Sequence, residues 1–153
     1  MIILLDIDGV MVPASSWKTP EFLNDGFPDF SPRAINSLNK IISETHASIL
    51  LTTSHKSKYP IASWRQIFAK RGITAKISKL RSTKTTRKDE VLKWIKTHHD
   101  VNDFIIIDDD KSLNDLPPKL KRRLILTSSL VGLNDDLADQ AIKTLRKSDL
   151  IPV

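Results

Sequence analysis

The 153-residue chain contains no cysteine, and that absence removes three chemistries together: disulfide staples, thiolate zinc sites and cysteine nucleophiles. Any nucleophile must then be an oxygen or a nitrogen. Long apolar runs are missing too. No stretch approaches the roughly 20 residues needed to cross a bilayer, and the start lacks the basic segment and small-residue cleavage site of a secretory leader. These absences lead to the expectation of a cytoplasmic protein with no membrane partner. Internal repeats and low-complexity segments are absent as well. With 40% hydrophobic residues, the chain is long enough for one domain with a real core and too short for two. Residues 1–153 are therefore read as a single domain.

What is present is unevenly charged. The formal charge is +6. Between Lys56 and Lys96, 13 Lys and Arg residues stand against two acids, Asp89 and Glu90, so this span carries +11 and the remainder −5. Lys and Arg are usually exposed whatever a protein does, and a solvated surface explains the cluster as well as a site for a polyanion does.

Short apolar runs alternate with helical patterns. "MIILLDI", "ASILLTT" and "DFIIID" lack helical periodicity and read as buried parallel strands, with "RLILT" as a further one. Between the first two, "SPRAINSLNKIISE" opens with a capping Ser31 and a first-turn Pro32, then places Ile35, Leu38, Ile41 and Ile42 on one face. "YPIASWRQIFAKRG" carries an apolar stripe of Ile61, Trp64, Ile67 and Phe68 and stops at Gly72. Val91, Leu92 and Ile95 repeat the pattern in "KDEVLKWIKTHH", a shorter helix follows Pro117 and Pro118, and "NDDLADQAIKTLRK" supplies the last. The alternation predicts an α/β fold, a single Rossmann-like domain with a mainly parallel central sheet and helices on both faces.

Ligands of such sheets sit beyond the carboxyl ends of the strands. The sequence places Asp6 and Asp8 there after the first run, Thr52, Thr53 and Ser54 after the second, and Asp108, Asp109 and Asp110 after the third. Each set alone is ordinary for a turn or a helix cap. Five carboxylates on one rim, however, repel one another and call for a counterion. Oxygen donors with no nearby His or Cys favour magnesium, which keeps several waters and meets a substrate phosphate.

These residues carry a family resemblance. "DIDGV" at 6–10 resembles the first motif of the haloacid dehalogenase (HAD) superfamily, "LLTT" at 50–53 its second, Lys88 at a helix start its third, and "IIIDDD" at 105–110 its fourth. The stretches "TTSH" to "SWRQIF", "KDEVLKWI" with "FIIIDDD", and "VGLNDDLADQAI" are also similar to small HAD domains found in or near RNA-repair proteins. The resemblance implies a phosphatase in which Asp6 attacks phosphorus to form an aspartyl-phosphate. Asp8 would protonate the leaving oxygen and then activate water; an acid at this place marks the family's phosphatases, where transport ATPases carry threonine. Gly9 gives the backbone room to turn. Thr53, with Thr52 as the alternative, would offer a hydroxyl to a phosphoryl oxygen. His55 stands where the resembling subgroup has an aromatic residue and is a candidate phosphate contact. Lys88, with Arg87 and Lys84 as alternatives, would offset charge on the nucleophile and the phosphoryl group. Asp108 would orient that cation, Asp6, Asp8 and Asp109 would hold Mg2+, and Asp110 would support these ligands from behind or serve only as a cap.

A cap domain is the last absence. Twenty residues, "PASSWKTPEFLNDGFPDFSP", lie between the first motif and the next helix, enough for a flap and too few for a cap. The other customary insertion point holds only "KISKLRSTKTTRK". The site is expected to be open and basic along one side, which suits a nucleic-acid 3′-phosphate end. Lys79, Arg81 and Lys84 would contact its backbone, and Trp17 and Phe22 are candidates for stacking on a base or packing on the domain. The other readings are a phosphatase for a nucleotide, sugar phosphate or phosphoprotein, and a non-catalytic nucleic-acid-binding domain that kept the fold. Nothing in the sequence specifies an oligomeric state.

Overall fold

The computed structural model describes residues 1–14, 21–81, 85–98 and 103–150, with side chains as far as Lys147. Five strands, β1 (Ile2–Leu5), β2 (Ser48–Leu51), β3 (Ile77–Lys79), β4 (Phe104–Asp108) and β5 (Leu124–Leu126), form one sheet in the order β3-β2-β1-β4-β5. Every pairing is parallel, and Leu4 of central β1 lies between Leu50 and Ile106. Strands covered on both faces need no polar side, which is why β1, β2 and β4 read as unbroken apolar runs. β3 escapes that criterion. It is three residues long, sits at the sheet edge and buries only Ile77, so the basic segment that reads as a plain connection in fact adds a strand.

Helices α1 (Pro32–Thr45), α2 (Ile61–Lys70) and α5 (Asp135–Leu150) cover one face, and α3 (Arg87–Thr97) and α4 (Pro118–Lys121) the other. Ser31 starts α1 as expected, its Oγ accepting from Ala34 N at 3.1 Å. On the first face, Leu38, Ile41, Trp64, Phe68 and Leu145 pack on Ile3, Leu5, Ile49 and Ile107. On the second, Val91, Trp94, Leu113 and Leu116 pack on Leu4, Leu50 and Ile106. Each fully buried side chain of this kind contributes about 1.5–3 kcal/mol, and the two cores together lock both faces of the sheet. No helix among the described residues is long and apolar enough to cross a membrane, and no cap domain stands over the sheet among them.

The path of the chain positions the site. The steps β1 to β2 to β3 run towards one edge with α1 and α2 on one face. The return from β3 to β4 passes both earlier strands and carries α3 across the other face. The order therefore reverses between β1 and β4, and ligands of open α/β sheets bind in the crevice at such a point. Asp6 and Asp108 stand there.

Candidate active site

At the reversal, Asp6 N donates to Ile107 O at 3.0 Å, and Thr52 N donates to Leu5 O at 2.9 Å, extending the sheet one step past β1 and β2. Asp6, Asp108 and Asp109 each offer a carboxylate oxygen within 4.8 Å of the others. Asp6 and Asp108 are buried, Asp109 half-buried. Asp109 can come this close only because residue 9 is glycine. Gly9 has φ +78°, and a Cβ there would overlap the Asp109 carboxylate. Its turn is held from two sides, since Gly9 N donates to Val12 O at 2.9 Å and Thr127 Oγ1 donates to Gly9 O at 2.8 Å.

Burial, and then the charge of Asp108, push the Asp6 carboxyl up to about 8. Asp108 is raised as well, chiefly by burial, although Arg87 opposes the rise. Arg87 Nη1 lies 2.6 Å from Asp108 Oδ2 and 3.4 Å from Asp6 Oδ1. Burial works against its charge, yet the facing Asp108 and Asp6 carboxylates leave its pKa raised. Three acids against one guanidinium leave room for further positive charge, and a donor set of carboxylate oxygens alone fits a hard cation such as Mg2+.

Not every residue singled out in the sequence reaches this cluster. Asp8 does not: its side chain is 60% exposed and turned to His55, with Oδ2 2.7 Å from Nε2. The strand has ended by residue 8 and the Gly9 turn sends the side chain outward, so the carboxylate group is Asp6, Asp108 and Asp109 in place of Asp6, Asp8 and Asp109. His55 in turn packs against the Phe27 ring, edge to face, at 5.7 Å. Thr53 is buried and its Oγ1 accepts from His55 N at 3.2 Å, capping the 3₁₀ turn over Ser54–Lys58. Thr52 Oγ1, also buried, has no hydrogen-bond partner among the described residues.

Arg87, and not Lys88, faces Asp6 and Asp108. Thr86 caps α3, its Oγ1 accepting from Asp89 N at 3.2 Å. Arg87 is thus the first helical residue, and each further residue is rotated by about 100° around the axis, which takes Lys88 away from the crevice. Asp110 is a cap: its Oδ1 accepts from Ser112 N at 2.9 Å, and its own N–H donates to Asp108 Oδ1 at 3.0 Å. Lys79 is already engaged, its ammonium donating to the carbonyls of Tyr59 at 3.0 Å and Lys56 at 3.3 Å. Arg81 is exposed, as is Phe22. Lys84 and Trp17 lie outside the described residues.

Two supports of the site left no local mark in the sequence. Arg71 is buried at the end of α2, where it bonds Asp25 at 2.7 Å, the carbonyls of Phe27 and Pro28 at 2.9 Å each, and Ile67 O at 2.8 Å. It also lies over the rings of Phe27 and Phe30. That anchor fixes residues 25–30 and, through Phe27, the wall behind His55. Lys56 and Glu90 form the second support, a buried ion pair at 2.9 Å that ties the turn after β2 to α3.

A family model described as the HAD domain in Swiss Army Knife RNA repair proteins matches residues 2–138. A search of curated proteins finds no match.

Proposed function

The chain belongs to the family of HAD domains found in Swiss Army Knife RNA repair proteins, and from that premise we propose that it is a magnesium-dependent phosphatase acting on the 3′-phosphate end of a nucleic acid. The observation that carries the reading is a buried aspartate at a strand end, Asp6, sharing one guanidinium with Asp108 and standing within 4.8 Å of Asp108 and Asp109.

In the proposed reaction an Asp6 carboxylate oxygen attacks phosphorus, and the bond from phosphorus to the substrate oxygen breaks as Asp8 gives that oxygen a proton. A water then loses a proton to Asp8, its oxygen bonds to phosphorus, and the bond to Asp6 breaks, releasing inorganic phosphate. Arg87 takes the place that the family motif gives to lysine. Its fork holds Asp108 and has further N–H groups for phosphoryl oxygens, where planar geometry serves better than a point charge. The Thr52 hydroxyl, buried without a partner, and Thr53 are the oxygen-side donors to the same group. His55 holds Asp8 by a hydrogen bond beside the crevice. Mg2+ held by Asp6, Asp108 and Asp109 would supply positive charge that keeps Asp6 ionised and offsets charge on the phosphoryl group.

The nucleic-acid end is supported by the family in which the domain occurs, by the lack of a cap among the described residues, and by the +11 carried between Lys56 and Lys96. Phosphate release with Mg2+ tests it, run over oligonucleotides phosphorylated at the 3′ or the 5′ end beside small phosphoesters. Preference for 3′ ends is expected. Faster turnover of a sugar phosphate or nucleotide would overturn the substrate, and no turnover of any phosphoester would overturn the enzyme.

A further inference from the structure

On the face carrying α3, that helix packs on Leu50 but leaves parts of the strands β2 and β3 uncovered, with Ser48 half-buried and Ser78 exposed. Their side chains on that face, Ser48 and Leu50 from β2 and Ser78 from β3, form the floor of a groove of about 590 Å³ whose opposite wall is α3. The rim is cationic: Lys76, Arg81 and Lys93 are exposed, and no acid pairs with any of them among the described residues. The one acid among the described lining residues, Glu90, is buried and already neutralised by Lys56 at 2.9 Å. At the far end the ring of His98 lies exposed and stacked on Trp94, with centroids 4.7 Å apart and planes 14° apart.

The groove begins at Glu90, one helical turn beyond Arg87, and follows α3 to His98, about 12 Å at 1.5 Å per residue. We propose that it binds the sugar-phosphate backbone of a single nucleic-acid strand, so that the strand lies along α3 while its end reaches the crevice at Asp6. Binding by the groove stands on its own residues; the placement of the strand's end rests on the phosphatase reading. Cations spread along both sides match a repeating anion better than a single one, and a partly apolar floor ending in a flat aromatic stack suits unpaired bases. A pocket of this volume is of the size that holds small ligands, enough for a few nucleotides and too small for a duplex. An acidic peptide would meet the same charge but leave the ring stack without a flat partner.

The test is fluorescence anisotropy with a labelled, unphosphorylated single-stranded decanucleotide, without metal, over a salt series. The proteins are the wild type, Lys76→Glu/Lys93→Glu, and Ser78→Glu, which puts an anion on the exposed floor; circular dichroism checks each fold. Binding that weakens about tenfold or more in both variants is expected, with the log–log salt slope shallower by about 1.4 in the double variant, at about 0.7 per lost contact. Unchanged affinity in the two variants, or no salt-dependent binding by the wild type, would overturn the groove. Tighter binding of a poly-glutamate peptide or of duplex than of the single strand would also overturn it. Turnover of a small phosphoester by the wild type is followed in parallel: its absence would overturn the phosphatase reading and leave the groove result standing.

Discussion

Burial and the neighbouring Asp108 raise Asp6 from 3.8 to about 8, so the folded, metal-free protein keeps a proton there that the unfolded chain releases near pH 4. The folded state thus binds more protons between those values. Stability from this group is present below about pH 4, falls as the pH rises, and is lost above about pH 8. Asp6→Asn cannot ionise and escapes the loss. In urea titrations with EDTA it should be more stable than wild type at pH 8 by roughly a few kcal/mol, with the gap closing towards pH 4, while phosphate release is abolished. A gap that does not change with pH would refute the origin assigned to it. Arg87 offers a second contrast. Arg87→Ala removes the one guanidinium facing two buried carboxylates and should lower turnover about 10²–10³-fold and stability by about 3–5 kcal/mol. Lys88→Ala, one residue further round α3, should change each by a small fraction of that. Parallel kinetics and denaturation of the two variants decide between the positions.

Elements place these groups, and short connections do it as much as regular structure. The turn after β1 puts Gly9 at φ +78° directly under Asp109. Gly9→Ala adds about 1–2 kcal/mol of left-handed strain and drives the Asp109 carboxylate away. The variant should remain folded yet show little of the thermal stabilisation by Mg2+ that is expected of the wild type, as differential scanning fluorimetry with and without the ion would report. The first turn of α3 works in the same way, since the Thr86 cap decides which side chain is first in the helix and so which cation enters the crevice. Residues 25–30 contain no helix or strand of the sheet, and Arg71 supplies what regular structure would otherwise provide, satisfying the carbonyls of Phe27 and Pro28 and lying over the rings of Phe27 and Phe30.

At the scale of the whole molecule, a crevice with three clustered carboxylates is expected to couple folding to cation binding. Mg2+ should stabilise the wild type by about 2.7 kcal/mol when its concentration reaches a hundredfold the dissociation constant, and Asp109→Ala should lose most of that gain; calorimetric melts across a magnesium series check both. The α/β class, the four strands that are apolar runs, the positions of α1, α2, α3 and α5, and the acids at the strand ends were all legible in the sequence. These are local properties: a run, a 3.6-residue stripe, a cap and an aspartate next to a strand end mean the same thing wherever the chain later goes. β3 was not legible, because three residues at an edge with one buried side chain carry too little pattern. The division of labour at the site was not legible either. Arg87 meets Asp108 across 21 residues and Asp8 meets His55 across 47, so which cation faces Asp6 and which acid leaves the cluster depended on the rotation of α3 and the Gly9 turn. Read alone, the chain already implies that hydroxyls and carboxylates collect on one rim, with no thiol among them. How they pair came from the folded arrangement, because pairing follows from side-chain direction after the strands have been ordered, and no single segment contains that information.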